Sequence, residues 1–153
     1  MHAPTWIENG RLIAGPHPCR RDPLNAPNEV RDLLALGVTL FLDLTEDGEL
    51  ESYAHLVPPA RHLRMPVRDF TVPQEDLLLG ALDAIDGELA GGGIVYVHCL
   101  AGCGRTGVVA GCWLVRQGST PADALDRIAE TRGLGCPQTL EQRLAILGWA
   151  SDR

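Results

Sequence analysis

Cys99 and Arg105 stand with five residues between them in the stretch His98-Cys99-Leu100-Ala101-Gly102-Cys103-Gly104-Arg105-Thr106-Gly107. As a thiolate, a cysteine is a strong nucleophile, and the planar fork of an arginine can grip two oxygens of a phosphate. Gly102, Gly104 and Gly107 let the backbone come close to an anion. The apolar residues Ile94 to Val97 read as a strand entering this stretch, and the apolar run after it reads as a helix leaving it. A strand that turns through glycines into a helix aims several N–H groups, and the positive end of the helix dipole, at one point. The spacing therefore points to an anion-binding loop from Leu100 to Arg105, whose field favours Cys99 as a thiolate aimed at phosphorus.

Other uses of these residues fit less well. In a zinc site built from His98, Cys99 and Cys103, adjacent strand residues would point to opposite faces, and no second ligand pair has zinc-like spacing. The stretch also lacks the G-x-x-x-x-G-K-[ST] and G-x-G-x-x-G patterns of the nucleotide-binding loops. Cys103, four residues from Cys99, raises the option of a disulfide between the two that would shield the nucleophile from overoxidation. Against it stands the tendency of side chains to point outward from a loop whose N–H groups point inward.

The elements that must position this loop follow in chain order. Arg11 to Gly15 is a strand, followed by a proline-rich loop carrying Arg20 and Arg21. Asn28 to Leu36 is a helix, Val38 to Leu44 a buried strand, the acidic Glu46 to Leu56 a short helix, and Leu63 to Pro66 a third strand. From Gln74, the spacing of Leu78, Leu82, Ile85 and Leu89 predicts a helix that ends at Gly91-Gly92-Gly93. Ile94 to Val97 is the fourth strand, and the helix from Gly104 to Gln117 is apolar nearly all round. Thr120-Pro121-Ala122-Asp123 and Thr139-Leu140-Glu141-Gln142 open two more helices with capping boxes, the last carrying Leu140, Leu144, Leu147 and Trp149. Strands alternating with helices predict an α/β fold: a single domain over residues 1–153, with a central, mostly parallel twisted sheet of about four to five strands flanked by helices.

Composition narrows the partners. The chain has 153 residues, 45% of them hydrophobic, enough for one core without disulfides or structural metal. The formal net charge of −7 gives no footprint for nucleic acid, and all 13 basic residues are arginines. Five cysteines and the absence of a secretory start predict a reducing cytoplasm. The apolar runs are shorter than the ~20 residues that span a bilayer, so no membrane partner is expected. Nothing in the sequence sets the oligomeric state.

The stretch from His98 to Gly107 resembles the signature of the cysteine-dependent protein phosphatases, most closely their small dual-specificity branch. Met65 to Pro73 is similar to the acid loop of that family and Cys136 to Gln142 to its glutamine loop, in the same order along the chain. The resemblance implies a protein tyrosine phosphatase-like fold and a two-step reaction. Cys99 would attack phosphorus and become a phosphocysteine while Asp69 protonates the leaving group. Arg105 and the N–H groups of Leu100, Ala101, Gly102, Cys103, Gly104 and Arg105 would hold the oxygens. Thr106 would stabilise the departing thiolate, Gln138 would position the attacking water, Asp69 would take its proton, and His98 would order the loop. No metal or cofactor is implied.

A phosphorylated protein or peptide is the expected substrate, carrying phosphotyrosine and also phosphoserine or phosphothreonine. Leu100 and Cys103 occupy positions where lipid phosphatases of the superfamily carry lysine. The alternatives are a catalytically weak phosphoresidue-binding module and a phosphatase for a non-protein ester. Read without the resemblance, Asp69 is a loop aspartate capping the helix near Gln74, Gln138 a loop amide, Gln142 a capping-box residue and Asp43 a structural carboxylate at a strand end.

Overall fold

In the computed structural model, which describes residues 3–150, 152 and 153, the apolar runs become strands. β1 (Thr5–Glu8), β2 (Leu12–Gly15), β3 (Leu40–Asp43), β4 (Arg61–Arg64) and β5 (Val95–His98) form one sheet in the order β1-β2-β5-β3-β4. Every residue of β2, β3 and β5 is buried, as expected of parallel strands covered on both faces. β5 lies at the centre, parallel to both neighbours, in a register that sets Gly15 and Asp43 beside His98. The ends of three strands thus meet at one level, the carboxyl edge where open α/β sheets place their ligands.

Helices α1 (Ala26–Ala35), α2 (Glu75–Ala90), α3 (Arg105–Arg116), α4 (Pro121–Arg132) and α5 (Leu140–Leu147) cover the sheet. The strand alternation divides the core in two. Val95 and Val97 of β5 join Leu12, Leu42 and the α2–α5 side, while Tyr96 joins Ile13, Phe41 and the residues of α1. α3 is buried along its length from Arg105 to Val115, which is why its sequence shows no polar face.

Four elements differ from the sequence expectations. β1 is an added antiparallel edge strand on β2, fastened by Arg127 of α4, whose Nε and Nη2 donate to the Ile7 carbonyl at 3.1 and 3.0 Å. The acidic segment from Glu46 is not a helix: Gly48 takes a φ of 83°, and only one 3-10 turn, Ala54–Leu56, follows. β4 runs over Arg61–Arg64 rather than to Pro66, which has no N–H to offer a ladder. On α5, Leu140, Leu144 and Leu147 are 67%, 53% and 43% exposed, and Gln142 and Ile146 face the protein instead.

α3 and α5 approach closely at Gly111, where an added methyl carbon would lie 2.5 Å from Ile146 Cδ1 and 2.9 Å from its Cγ1. Gly111→Ala is therefore expected to cost about 1–3 kcal/mol through overpacking. Gly87→Ala, on an exposed turn of α2 with nothing within 4 Å of the new methyl, should stabilise by about 0.5–1 kcal/mol through helix propensity. Urea unfolding of both variants checks the pair; equal signs would contradict this packing.

Candidate active site

The loop between β5 and α3 is shaped by what holds its carbonyl groups. His98 Nδ1 lies 3.1 Å from the Cys99 carbonyl, and the His17 N–H donates to the Leu100 carbonyl at 3.1 Å. Arg132, buried at the end of α4, donates from Nη2 to the Ala101 carbonyl at 3.3 Å and from Nε to the Gly102 carbonyl at 2.8 Å. The cis peptides of the described chain are Pro58-Pro59 and Cys136-Pro137, so all four loop peptides are trans. In a trans peptide, C=O and N–H point in opposite directions. Four successive carbonyls anchored outward therefore turn the N–H groups of Leu100, Ala101, Gly102 and Cys103 inward. Gly102 has a φ of +71°, and a Cβ there would lie 2.3 Å from the Gly15 carbonyl oxygen and 2.7 Å from Arg132 Nη2, so only glycine fits.

Cys99 is a free thiol, 3% exposed, at the start of this loop. Arg105, in the first turn of α3, is 1% exposed and clamped from three sides. Its Nη1 and Nη2 donate to Glu49 Oε1 and Oε2 at 2.9 and 2.7 Å, and Nη1 also donates to the Val67 carbonyl at 2.9 Å. Its Nη2 lies 3.3 Å from Asp69 Oδ1. The guanidinium holds the Glu49 carboxyl below the ordinary carboxylate range. Among the described residues, Arg105 Nε and Thr106 Oγ1 are buried with no hydrogen-bond partner. Both belong to the first turn of α3, so an acceptor for each is wanting beside the loop.

The structure brings Asp69 to Arg105 across the fold. Asp69 Oδ1 also accepts the Phe70 N–H at 2.9 Å, while Phe70 takes a φ of 63° and is 61% exposed. Asp69 does not cap α2, whose N-cap, Gln74, makes no side-chain bond. Gln138 and Gln142 both lie against the loop: a Cβ on Gly104 would meet Gln138 Oε1 at 2.5 Å and Gln142 Nε2 at 2.9 Å. Gln142 completes the capping box of α5 and also donates from Nε2 to the Thr71 carbonyl at 3.1 Å, tying the glutamine loop to the acid loop. Cys103 pairs with Cys136 in a disulfide, not with Cys99. Its side chain points away from the inward N–H groups, the direction that argued against the Cys99 pairing.

A family model described as PTP-SAK, Swiss Army Knife protein, DSP-PTPase phosphatase domain, matches residues 2–142. The chain belongs to this family. "Putative tyrosine phosphatase 067L" of Invertebrate iridescent virus 3 is 37% identical over 93 residues, 56% of this chain and 38% of that protein. "Tyrosine-protein phosphatase cdc-14" of Caenorhabditis elegans is 25% identical over 118 residues, 73% of this chain and 16% of that protein. The chain thus spans well under half the length of both curated relatives. The solved structure of Tk-PTP in its active form superposes with a TM-score of 0.81 at 27% identity, covering 98% of this chain and 97% of that one.

Beneath the loop of this DSP-PTPase domain lies a buried polar layer. The Tyr53 hydroxyl meets His98 Nε2 in a short hydrogen bond, and a carbonyl can only accept, so Nδ1 carries the proton toward Cys99 and Nε2 accepts from Tyr53. Asp43 Oδ1 is 3.9 Å from His98 Nε2 and accepts from the Thr45 hydroxyl at 2.6 Å, while its Oδ2 meets His62 Nε2 at 2.9 Å and Arg64 Nη2 at 3.3 Å. Burial works to raise the pKa of Asp43, but the His62 and Thr45 hydrogen bonds outweigh it and hold the carboxyl well below its ordinary range. His17, 5.1 Å from the rings of both Tyr53 and His98, accepts the Cys19 N–H at Nδ1. Arg20 and Arg21 border, with Pro16, His17 and Tyr96, a cavity of about 430 Å³ that no residue from Cys99 to Arg105 lines, and Arg68 is exposed.

Sequence reasoning did not single out Glu49, Arg132, Tyr53 or Cys136. Glu49 sits in an acidic run that reads as a solvated helix face, and Arg132 reads as an ordinary helix terminus. Their partners lie 56 and 30 positions away, so no local pattern exposes them.

Burial holds two histidines of this layer neutral: it pushes His17 from 6.5 down to about 3 and lowers His98 as well. A group with a depressed folded pKa takes up its proton more readily in the unfolded chain. Its stabilising contribution is intact above pH 6.5 and declines as pH falls toward 3. Thermal unfolding should move down between pH 7 and pH 5, above the range of the carboxylates, by about 2–4 °C for each kcal/mol lost. A flat melting temperature over that interval would contradict neutral buried imidazoles.

Proposed function

We propose that this chain is a phosphatase that hydrolyses phosphate monoesters on proteins through a phosphocysteine at Cys99. The observation that supports it most is the set of inward N–H groups from Leu100 to Cys103 around a free thiol, beside an arginine whose buried Nε has no partner. In the first step Cys99 Sγ forms a bond to phosphorus and the ester oxygen leaves, taking the proton from the Asp69 carboxyl. The inward N–H groups, together with those of Gly104 and Arg105, receive the charge on the equatorial oxygens. Glu49 takes both Nη atoms of Arg105 and leaves Nε as its unpartnered donor.

In the second step water attacks the phosphocysteine and Asp69, now ionised, accepts its proton. Gln138 positions the water and the Thr106 hydroxyl donates to the departing thiolate. His98 takes no proton in this scheme; it orders the loop through the Cys99 carbonyl. The chemistry asks for no cofactor or metal ion, so turnover is expected to persist in a chelator. Residues 1–153 form the catalytic domain.

A phosphoprotein is the proposed substrate class, phosphotyrosine first and phosphoserine or phosphothreonine with it, since Phe70 offers an exposed apolar surface beside Asp69. Arg68, exposed next to Asp69, faces acidic residues flanking the phosphate. Phosphotyrosyl, phosphothreonyl and phosphoinositide substrates compared side by side test this order. Faster turnover of the phosphoinositide would overturn it.

Cys99→Ser should abolish turnover of para-nitrophenyl phosphate while inorganic phosphate still binds by calorimetry; retained turnover would refute the mechanism. Asp69→Asn should slow alkyl and phenyl esters far more than para-nitrophenyl phosphate, whose leaving group needs little protonation. Glu49→Gln removes one charge-assisted bond to Arg105, about 1.5–3 kcal/mol, and should lower kcat/KM by about 10-fold or more. An unchanged kcat/KM would show that Arg105 needs no such support.

A further inference from the structure

The disulfide between Cys103 and Cys136 joins two loops that the proposed reaction uses at different steps. Cys103 belongs to the loop that receives the phosphoryl group, and Cys136 lies two residues before Gln138, which handles water only after the first step. We propose that this disulfide is a positioning clamp for the second step: it holds Gln138 over the nucleophile loop, and its reduction slows hydrolysis of the phosphocysteine without weakening its formation. The inference rests on the phosphocysteine reading.

The two joined loops are held in different ways. The nucleophile loop is held from behind by His98, His17 and Arg132, none of which depends on the disulfide. The cradle for the phosphoryl group therefore survives reduction. The segment from Gly133 to Gln138 is held at its two ends: Arg132 is anchored under the loop, and Thr139 is locked into the capping box with Gln142.

Between those ends Gly133 has a φ of 123°, Leu134 is 88% exposed, and a methyl added at Gly135 would meet nothing within 4 Å. Leu134, Gly135 and Gln138 of this span are exposed, while Gly133, Cys136 and Pro137 are buried. Its fixed points are the disulfide, the Cys136 N–H on the Gly133 carbonyl at 3.0 Å, and Pro137, which packs at Gly107 and accepts from Arg143 Nε at 3.0 Å. Gln138 itself is exposed, so it lacks the burial that would hold it in place without the clamp. Opening the bond frees the segment from the nucleophile loop at the one covalent point between them.

The chemistry of opening balances with a dithiol reductant. Two electrons and two protons pass from the dithiol to the Cys103–Cys136 bond, giving two thiols and the cyclic disulfide of the reductant. Cys99 takes no part, since it is already a free thiol with Cys19 and Cys112. The sign of the effect is therefore unusual for a cysteine enzyme, because a reductant lowers turnover instead of restoring it.

The test is stopped-flow turnover of para-nitrophenyl phosphate by the full chain, before and after dithiothreitol, with thiols counted by alkylation and mass. Three alkylated cysteines mark the clamped form and five the open form. Slowing only the second of two steps lowers kcat and KM together and leaves kcat/KM unchanged. The expected result is that pattern, with kcat several-fold lower, the burst rate unaltered and more acid-stable phosphoenzyme at steady state. Cys136→Ser, assayed in dithiothreitol, should reproduce the open form.

If kcat is the same in both redox forms, or if kcat/KM falls with it, the clamp is overturned. Failure of the phosphocysteine reading looks different: no burst and no phosphoenzyme would appear in either form. Should Cys136→Ser not fold, the wild-type comparison decides alone.

Discussion

The site depends on where four carbonyl groups go. A buried backbone must satisfy both its donors and its acceptors, so a loop can present its N–H groups to an outside anion only if its C=O groups are bonded elsewhere. From Cys99 to Gly102 this is done by an imidazole, a backbone N–H and a buried guanidinium. Removing Arg132 from water is costly, and that cost is offset by at least five acceptors, which include the Ala14 carbonyl and the Thr5 hydroxyl. The result is a set of dipoles fixed before any ligand arrives, the condition under which they stabilise developing charge without reorganising.

The sheet explains why the support stands where it does. Along β5 the apolar residues Val95 and Val97 alternate with Tyr96 and His98, and the register sets Asp43 of β3 beside His98 at the strand ends. One face of the sheet is therefore hydrocarbon, and the other carries at its carboxyl edge a polar layer in which His98 bonds Tyr53 and Asp43 bonds His62. Within this layer His17 Nε2 is buried without a hydrogen-bond partner among the described residues, while both nitrogens of His98 are bonded. The two-way bonding of His98, hydroxyl on one nitrogen and carbonyl on the other, links that layer to the loop above it. Glu49 does the same for Arg105 from the opposite side, although it reaches the site from a segment with almost no regular structure.

Much of this was legible in the sequence, and what was not has a common cause. The strand, glycine loop and helix around Cys99 are contiguous, so their types and spacing describe them fully. The capping box at Thr139 is likewise local, while Thr120 caps α4 through one bond from the Asp123 N–H with no reciprocal bond from Asp123, and the mostly parallel sheet follows from alternation of elements. The exposed stripe on α5 shows the limit of periodicity: Leu140, Leu144 and Leu147 have the spacing of a core face, yet Gln142 and Ile146 have it too, and packing chose the second pair. Glu49, Tyr53 and Arg132 act through partners far away in sequence, and Cys136 was read only as part of a loop. The acidic run around Glu49 suggested a helix because composition does not reveal which of several carboxylates will meet an arginine.

Arg132 also joins parts of the chain that are far apart in sequence. Its guanidinium joins the Ala3 carbonyl at a separation of 129 residues and the Ala14 carbonyl at 118, as well as the nucleophile loop. Contacts of such long range close only after most of the chain has been synthesised and collapsed, because the entropy of loop closure must be met first. The bonds of Arg132 to the Ala101 and Gly102 carbonyls are shorter in range, with separations of 31 and 30 residues. The first strands and the nucleophile loop are thus tied through one buried guanidinium, and a disturbance at either end reaches the other.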